Sequence, residues 1–164
     1  AGAADASGVH VATHRTWLNP DGSGKARLVD PKKTIGSYVG GCIRLWRGAS
    51  GKSLKDCPPG ETVIISEGIE DGLTCALAKP DLRVLCAVSL ANAAQLQLPD
   101  NVETVILAAQ HDTKAEALRG RDKAISALLQ QGRKVKLAFS TVGKDLNDEL
   151  QAHDAQHAAG DVPF

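Results

Sequence analysis

Methionine is missing from the whole 164-residue chain, and aromatic side chains make up only 3% of it. A core must therefore be built mainly from Val, Leu, Ile and Ala. An excess of either charge is missing too, since 19 Lys and Arg face 19 Asp and Glu. Zero net charge excludes a whole-molecule basic field, so any affinity for nucleic acid must come from a local patch. No apolar run approaches the ~20 residues of a membrane-spanning helix, and no membrane partner is expected. The opening AGAADASG has neither the basic nor the apolar segment of a signal peptide. CxxC pairs are absent. Cys42, Cys57, Cys75 and Cys86 stand apart, a pattern of reduced, buried thiols in a cytoplasmic protein that gives no support to a zinc site. No Gly-rich dinucleotide fingerprint occurs, and GSGK (22–25) lacks the spacing of a phosphate-binding loop. The length suits one domain with a small appendage. The missing initiator Met suggests a piece of a longer protein.

What is present divides near residue 61. Residues 1–8 are small and polar and read as a flexible tail. Residues 9–60 form a β-rich extension, with strand patterns within 8–18 and at 42–47. The turn NPDGSGK (19–25) lets KARLV (25–29) return as a hairpin partner. Beyond a Pro/Gly-rich connection, apolar strands at 62–67, 83–88, 103–109 and 134–140 alternate with helical patterns at 69–80, 89–98, 114–132 and 145–157. This order predicts an α/β, Rossmann-like fold. Its sheet is mostly parallel, of about four strands, with helices on both faces. The core spans 61–152, followed by a C-terminal tail at 153–164.

Sites in such sheets lie beyond the carboxyl ends of the strands. Glu67 ends the run TVIIS, where an unpaired charge is costly if buried. QHD (110–112) ends the run ILAA, so the two stretches share one crevice. Carboxylates gathered there suit Mg²⁺, which takes oxygen ligands and keeps several waters, and a nearby glutamate can serve as general acid or base. Each acid has a simpler structural reading: Asp112, Asp145 and Asp148 suit helix starts, and Glu70 and Asp71 read as solvated first-turn acids.

Three segments in order, EGIEDGLTCAL (67–77), QHD (110–112) and GKDLND (143–148), resemble a Toprim domain, the catalytic module of bacterial primases, topoisomerases and related nucleases. The closer resemblance is to the Toprim domains of phage and mobile-element primase-helicases and of some conjugative relaxases, to whose lead-in TWLNPDGSGKA and GGCIRL are also similar. The resemblance implies metal-dependent nucleotidyl or phosphoryl transfer on DNA or RNA with Mg²⁺ or Mn²⁺, within a larger DNA-processing protein whose other domains are partners. By the same resemblance Glu67 is the catalytic acid/base, and Asp112, Asp145 and Asp148 serve the metal. Gln110 departs from the pattern, standing where the first Asp of Asp-x-Asp belongs, and no glycine follows Asp112. A unit charge ~4 Å away is worth on the order of 4 kcal/mol at an effective dielectric near 20, so its loss weakens metal binding. The alternative is therefore an inactive nucleic-acid-binding or protein-docking module. Lys114, Arg119, Arg121 and Lys123 are the candidate phosphate contacts; a solvated helix face is the plainer reading of them. His111 is either an ordinary exposed histidine or a ligand to a softer metal such as Mn²⁺.

Overall fold

The computed structural model describes the backbone of residues 1–160 and the side chains of residues 1–154. The elements run β1 (Gly2–Ala4), β2 (His10–Thr16), β3 (Lys32–Gly36), β4 (Cys42–Arg47), a 3₁₀ turn (Leu54–Asp56), β5 (Glu61–Ser66), α1 (Ile69–Ala78), β6 (Arg83–Cys86), α2 (Leu90–Ala93), β7 (Val102–Ala109), α3 (Ala115–Gln130), β8 (Lys134–Phe139) and α4 (Leu146–Gly160). All eight strands form one sheet in the order β3-β2-β1-β4-β6-β5-β7-β8. The segment β6-β5-β7-β8 is parallel throughout. The remaining pairings are antiparallel.

The parallel segment follows from strands that are apolar on both faces. Val63 and Ile65 of β5, with Val105 and Leu107 of β7, pack beneath α2 and α3, against Ala93, Ala124 and Leu128. Ile64, Val84 and Ala108 point the other way, toward Cys75 of α1 and Leu146 at the start of α4. Helices therefore cover both faces. Burial pushes the thiols of Cys75 and Cys86 up to about 11, so neither is a ready nucleophile at neutral pH.

Four expectations need correction. The sheet has eight strands and is mixed, because β6 is not an edge. Its buried backbone would present unpaired N–H and C=O groups, and β4 covers them. The extension at 9–60 thus continues the same sheet. Residues 1–8 are not simply a tail: Gly2–Ala4 pair with both β2 and β4, and Ala3 is buried. Small residues with little strand preference are held there by tertiary pairing. KARLV makes a single bridge, Leu18 to Lys25. The hairpin partner of β2 is β3 instead, where Gly36 has a positive φ and lies so close to Val11 O that a Cβ would clash. Residues 153–160, expected as a tail, continue α4; 161–164 lie outside the described residues.

One side chain ties the extension to the parallel core. Asn92 of α2 is buried. Its amide donates to Gly41 O and Ala87 O at 2.8 Å each, and its oxygen accepts from Gly40 N at 2.8 Å. Asn92→Ala strands two buried carbonyls and the half-buried Gly40 N–H, and at roughly 1 kcal/mol or more each it lowers unfolding free energy by about 2–4 kcal/mol, measurable by urea denaturation.

Candidate functional site

Because β5 and β7 are parallel neighbours, the residues just after them meet at one edge. Glu67, Gln110 and Asp112 line a cleft with Leu90, Ala117 and Arg121. It continues into a groove of about 820 Å³ whose lining adds Lys114, Arg119, Lys123 and Lys144. The structure brings Glu67 and Asp112 together here but not Asp145 or Asp148, and three of the four expected cations line the groove. Arg121 lines the adjoining cleft, its guanidinium 5.8 Å from the Phe139 ring centroid. Lys144 went unread, although it stands inside GKDLND; it pairs with Asp112 at 3.3 Å.

Glu67 is half-buried. Burial pushes its carboxyl above the usual range, and the nearby Asp112 charge pushes the same way. The Leu90 backbone N–H and Lys144 oppose both. Val88, between β6 and α2, has φ 71°, a rare conformation for a β-branched residue that stores strain beside Glu67. Val88 also joins His14, Lys32 and Glu67 around a smaller pocket, so the extension walls the site. Within it Lys25 and Lys32 both pair with Glu70, at 3.5 and 3.4 Å.

The acids at 145 and 148 form a reciprocal cap on α4. Asp145 Oδ1 accepts from Asp148 N at 3.0 Å, and Asp148 Oδ2 accepts from Lys144 N at 2.7 Å and Asp145 N at 3.4 Å. Gly143, with a positive φ, permits this approach, since a Cβ there would fall 2.5 Å from Asp148 Cβ.

Asp71, read from sequence as solvated, is buried. Its Oδ2 accepts from Gln110 Nε2 at 3.1 Å and its Oδ1 from Asn147 N at 3.3 Å. Burial raises its pKa and the Gln110 hydrogen bond opposes this; the Asp145 charge raises it further. The signal for Asp71 was available in the helix phase: the third residue of α1 faces the sheet edge where Gln110 emerges.

Two subsites thus differ in their fitness for a divalent cation. Glu67 and Asp112 present carboxylates whose mutual repulsion an ion would relieve, and a hydrated Mg²⁺ needs only one or two carboxylates plus waters or phosphates. Asp71 does not fit, because both its oxygens already accept hydrogens, and Asp145 and Asp148 each commit one oxygen to capping α4. Among the described residues, no group of three or more His, Cys, Asp or Glu is placed to hold a metal ion.

Two outcomes follow from these environments. A carboxyl whose folded pKa lies above its unfolded value stabilises the fold while protonated, below the unfolded value, and that contribution is lost as pH rises through the folded pKa. Glu67→Gln therefore raises the melting temperature at neutral pH, and the gain vanishes in acid below the ordinary glutamate range. Gln110→Asp replaces the donor to Asp71 with a second carboxylate. It destabilises the metal-free protein by about 1–3 kcal/mol, measured by thermal denaturation in chelator, and added Mn²⁺ restores part of the loss.

Residues 62–156 match the Toprim domain family, and residues 1–45 match a domain of unknown function (DUF7146). No curated protein matches the chain. A DNA primase domain from Pseudomonas aeruginosa has a similar structure, with a TM-score of 0.58 at 16% identity. The match covers 96% of this chain and 48% of that one, so this chain spans about half its length. That likeness concerns the fold. The family match covers more than half of the chain, and the chain belongs to the Toprim domain family.

Proposed function

We propose that this is the Toprim domain of a larger DNA-processing protein, of the primase or relaxase type found in mobile elements, and that its groove takes the phosphate backbone of nucleic acid for phosphoryl or nucleotidyl transfer. The observation that carries this reading is the meeting of acids and cations at one sheet edge. Glu67 and Asp112 share a groove with Lys114, Arg119, Lys123 and Lys144. The cations hold phosphates, and contacts of this kind supply most of the non-specific affinity for nucleic acid. Glu67, its carboxyl pushed upward by burial and by Asp112, is the group placed to take or give a proton. A single Mg²⁺ or Mn²⁺ held by Glu67 and Asp112 would neutralise charge developing on a phosphoryl group. Gln110 adds no charge to that site.

A second reading, a binding module without catalysis, is favoured by a separate observation: Asp71, Asp145 and Asp148 are all engaged in internal hydrogen bonds. Calorimetric titration with Mn²⁺ separates the two. Binding that is lost in Glu67→Gln supports the enzyme; heat-silent titration of the native chain supports the module.

Phosphate binding has its own signature. Fluorescence anisotropy with a labelled oligonucleotide should show affinity falling steeply with salt. Replacing Lys114, Arg119 and Lys123 together by Ala should flatten the log–log slope by about 2, at ~0.7 per lost contact to a single strand. An unchanged slope removes the groove from the binding path.

A further inference from the structure

Beside the cleft, between Gln110 and Asp112 on one side and β8 on the other, lies a feature that neither catalysis nor phosphate binding uses. Trp17, Tyr38 and Trp46 lie in the extension. Phe139 ends β8 at the carboxyl edge of the sheet, one strand beyond Asp112, and is 39% exposed. An apolar ring left this open forgoes much of the burial a core position would give it.

Its neighbours are planar. The His111 ring lies 5.3 Å from the Phe139 ring, centroid to centroid, with the planes tilted by 31°. His111 is exposed yet held in place: Nε2 lies 2.7 Å from Ser140 O, the N–H donating to the carbonyl, and the backbone N donates to Lys144 O at 3.0 Å. On the same phenyl ring sits the Arg121 guanidinium, whose buried Nε has no hydrogen-bond partner. Arg121 also lines the cleft with Glu67, Gln110 and Asp112. Two rings and a guanidinium therefore lead from the groove's acids to solvent, with the Lys114 and Lys144 ammonium groups on the same groove.

We propose that His111, Phe139 and Arg121 form a stacking site for an unpaired nucleobase, so that the groove takes single-stranded nucleic acid in preference to duplex. This rests on the nucleic-acid reading above. Bases in a duplex already stack on one another, whereas an unpaired base offers a free face to aromatic rings and guanidinium planes. Such stacking tolerates any sequence, because every base has that face.

The experiment compares four ligands at low salt by fluorescence anisotropy on the 164-residue chain: a labelled oligothymidylate, an abasic strand of the same length, a duplex, and free thymidine monophosphate as competitor. The native chain should bind oligothymidylate about 5- to 100-fold more tightly than the abasic strand. Phe139→Ala should erase that ratio and leave abasic affinity unchanged, which also reports that the groove remains folded; Phe139→Trp should keep it. Equal affinity for the two strands, a ratio unaltered in Phe139→Ala, or tighter binding of duplex overturns the stacking site while leaving the phosphate groove standing. Efficient competition by the free nucleotide overturns its assignment to a strand. No binding of any ligand overturns the groove reading and this one together.

Discussion

The buried carboxylate of Asp71 is the joint on which the site depends. It sits in the first turn of α1, yet it accepts a hydrogen bond from the first turn of α4, through Asn147 N, and another from Gln110 at the end of β7. A charge placed inside a domain is tolerated only when hydrogen bonds replace its water. Here the N-terminus of α4 and one amide do so. Because the two donors come from two elements and the carboxylate from a third, satisfying one charge fixes α1, α4 and the β7 exit relative to one another. Thr74 Oγ1, one turn further along α1, reaches Asn147 Oδ1 at 3.5 Å and extends the same seam.

That joint also sets what position 110 can be. An aspartate there would face Asp71 as a second carboxyl, and the pair would need a shared proton or a cation to coexist. Glutamine supplies the donor itself, and its extra methylene spans the distance that a shorter side chain would leave. The amide thus does for Asp71 what a metal would do in an all-carboxylate site. It stabilises the fold without an ion, and it leaves Glu67 and Asp112 facing the groove outside that network.

Much of this was legible in the sequence. The four parallel strands and their helices announced themselves through continuous apolar runs such as TVIIS and ILAA, separated by 3.6-residue periodicity. Glu67 and Asp112 were found because parallel sheets place strand-end residues on one edge. The extension was misread because its pairing is dictated at long range. Nothing within GAA asks for a strand, and Leu28 and Val29 carry a strand pattern yet remain exposed. What decides is the edge of β6, which has to be covered, and no local window contains that information. Asp71 was missed for a related reason. A first-turn acid is normally solvated, and only the arrival of α4 and Gln110 from 76 and 39 residues away buries it.

The overall neutrality of the chain takes on meaning in this light. Positive charge gathers on the groove rim from Lys114, Arg119, Lys123 and Lys144, while Lys25 and Lys32 of the extension pair with Glu70. A rim of a few exposed cations attracts an anion only within about a Debye length, ~8 Å at physiological salt, so under the proposed function it would orient a strand already delivered more than capture one from solution. Glu67 works against that attraction. Its charge is half-buried, raised in pKa and repelled by Asp112, and the fold holds it there beside a strained Val88 at a cost in stability. Residues held at such a cost cluster where chemistry or recognition requires them. A strand end that merely reached solvent would have no reason to keep a carboxylate pressed between another carboxylate and the apolar floor of Leu90 and Ala117.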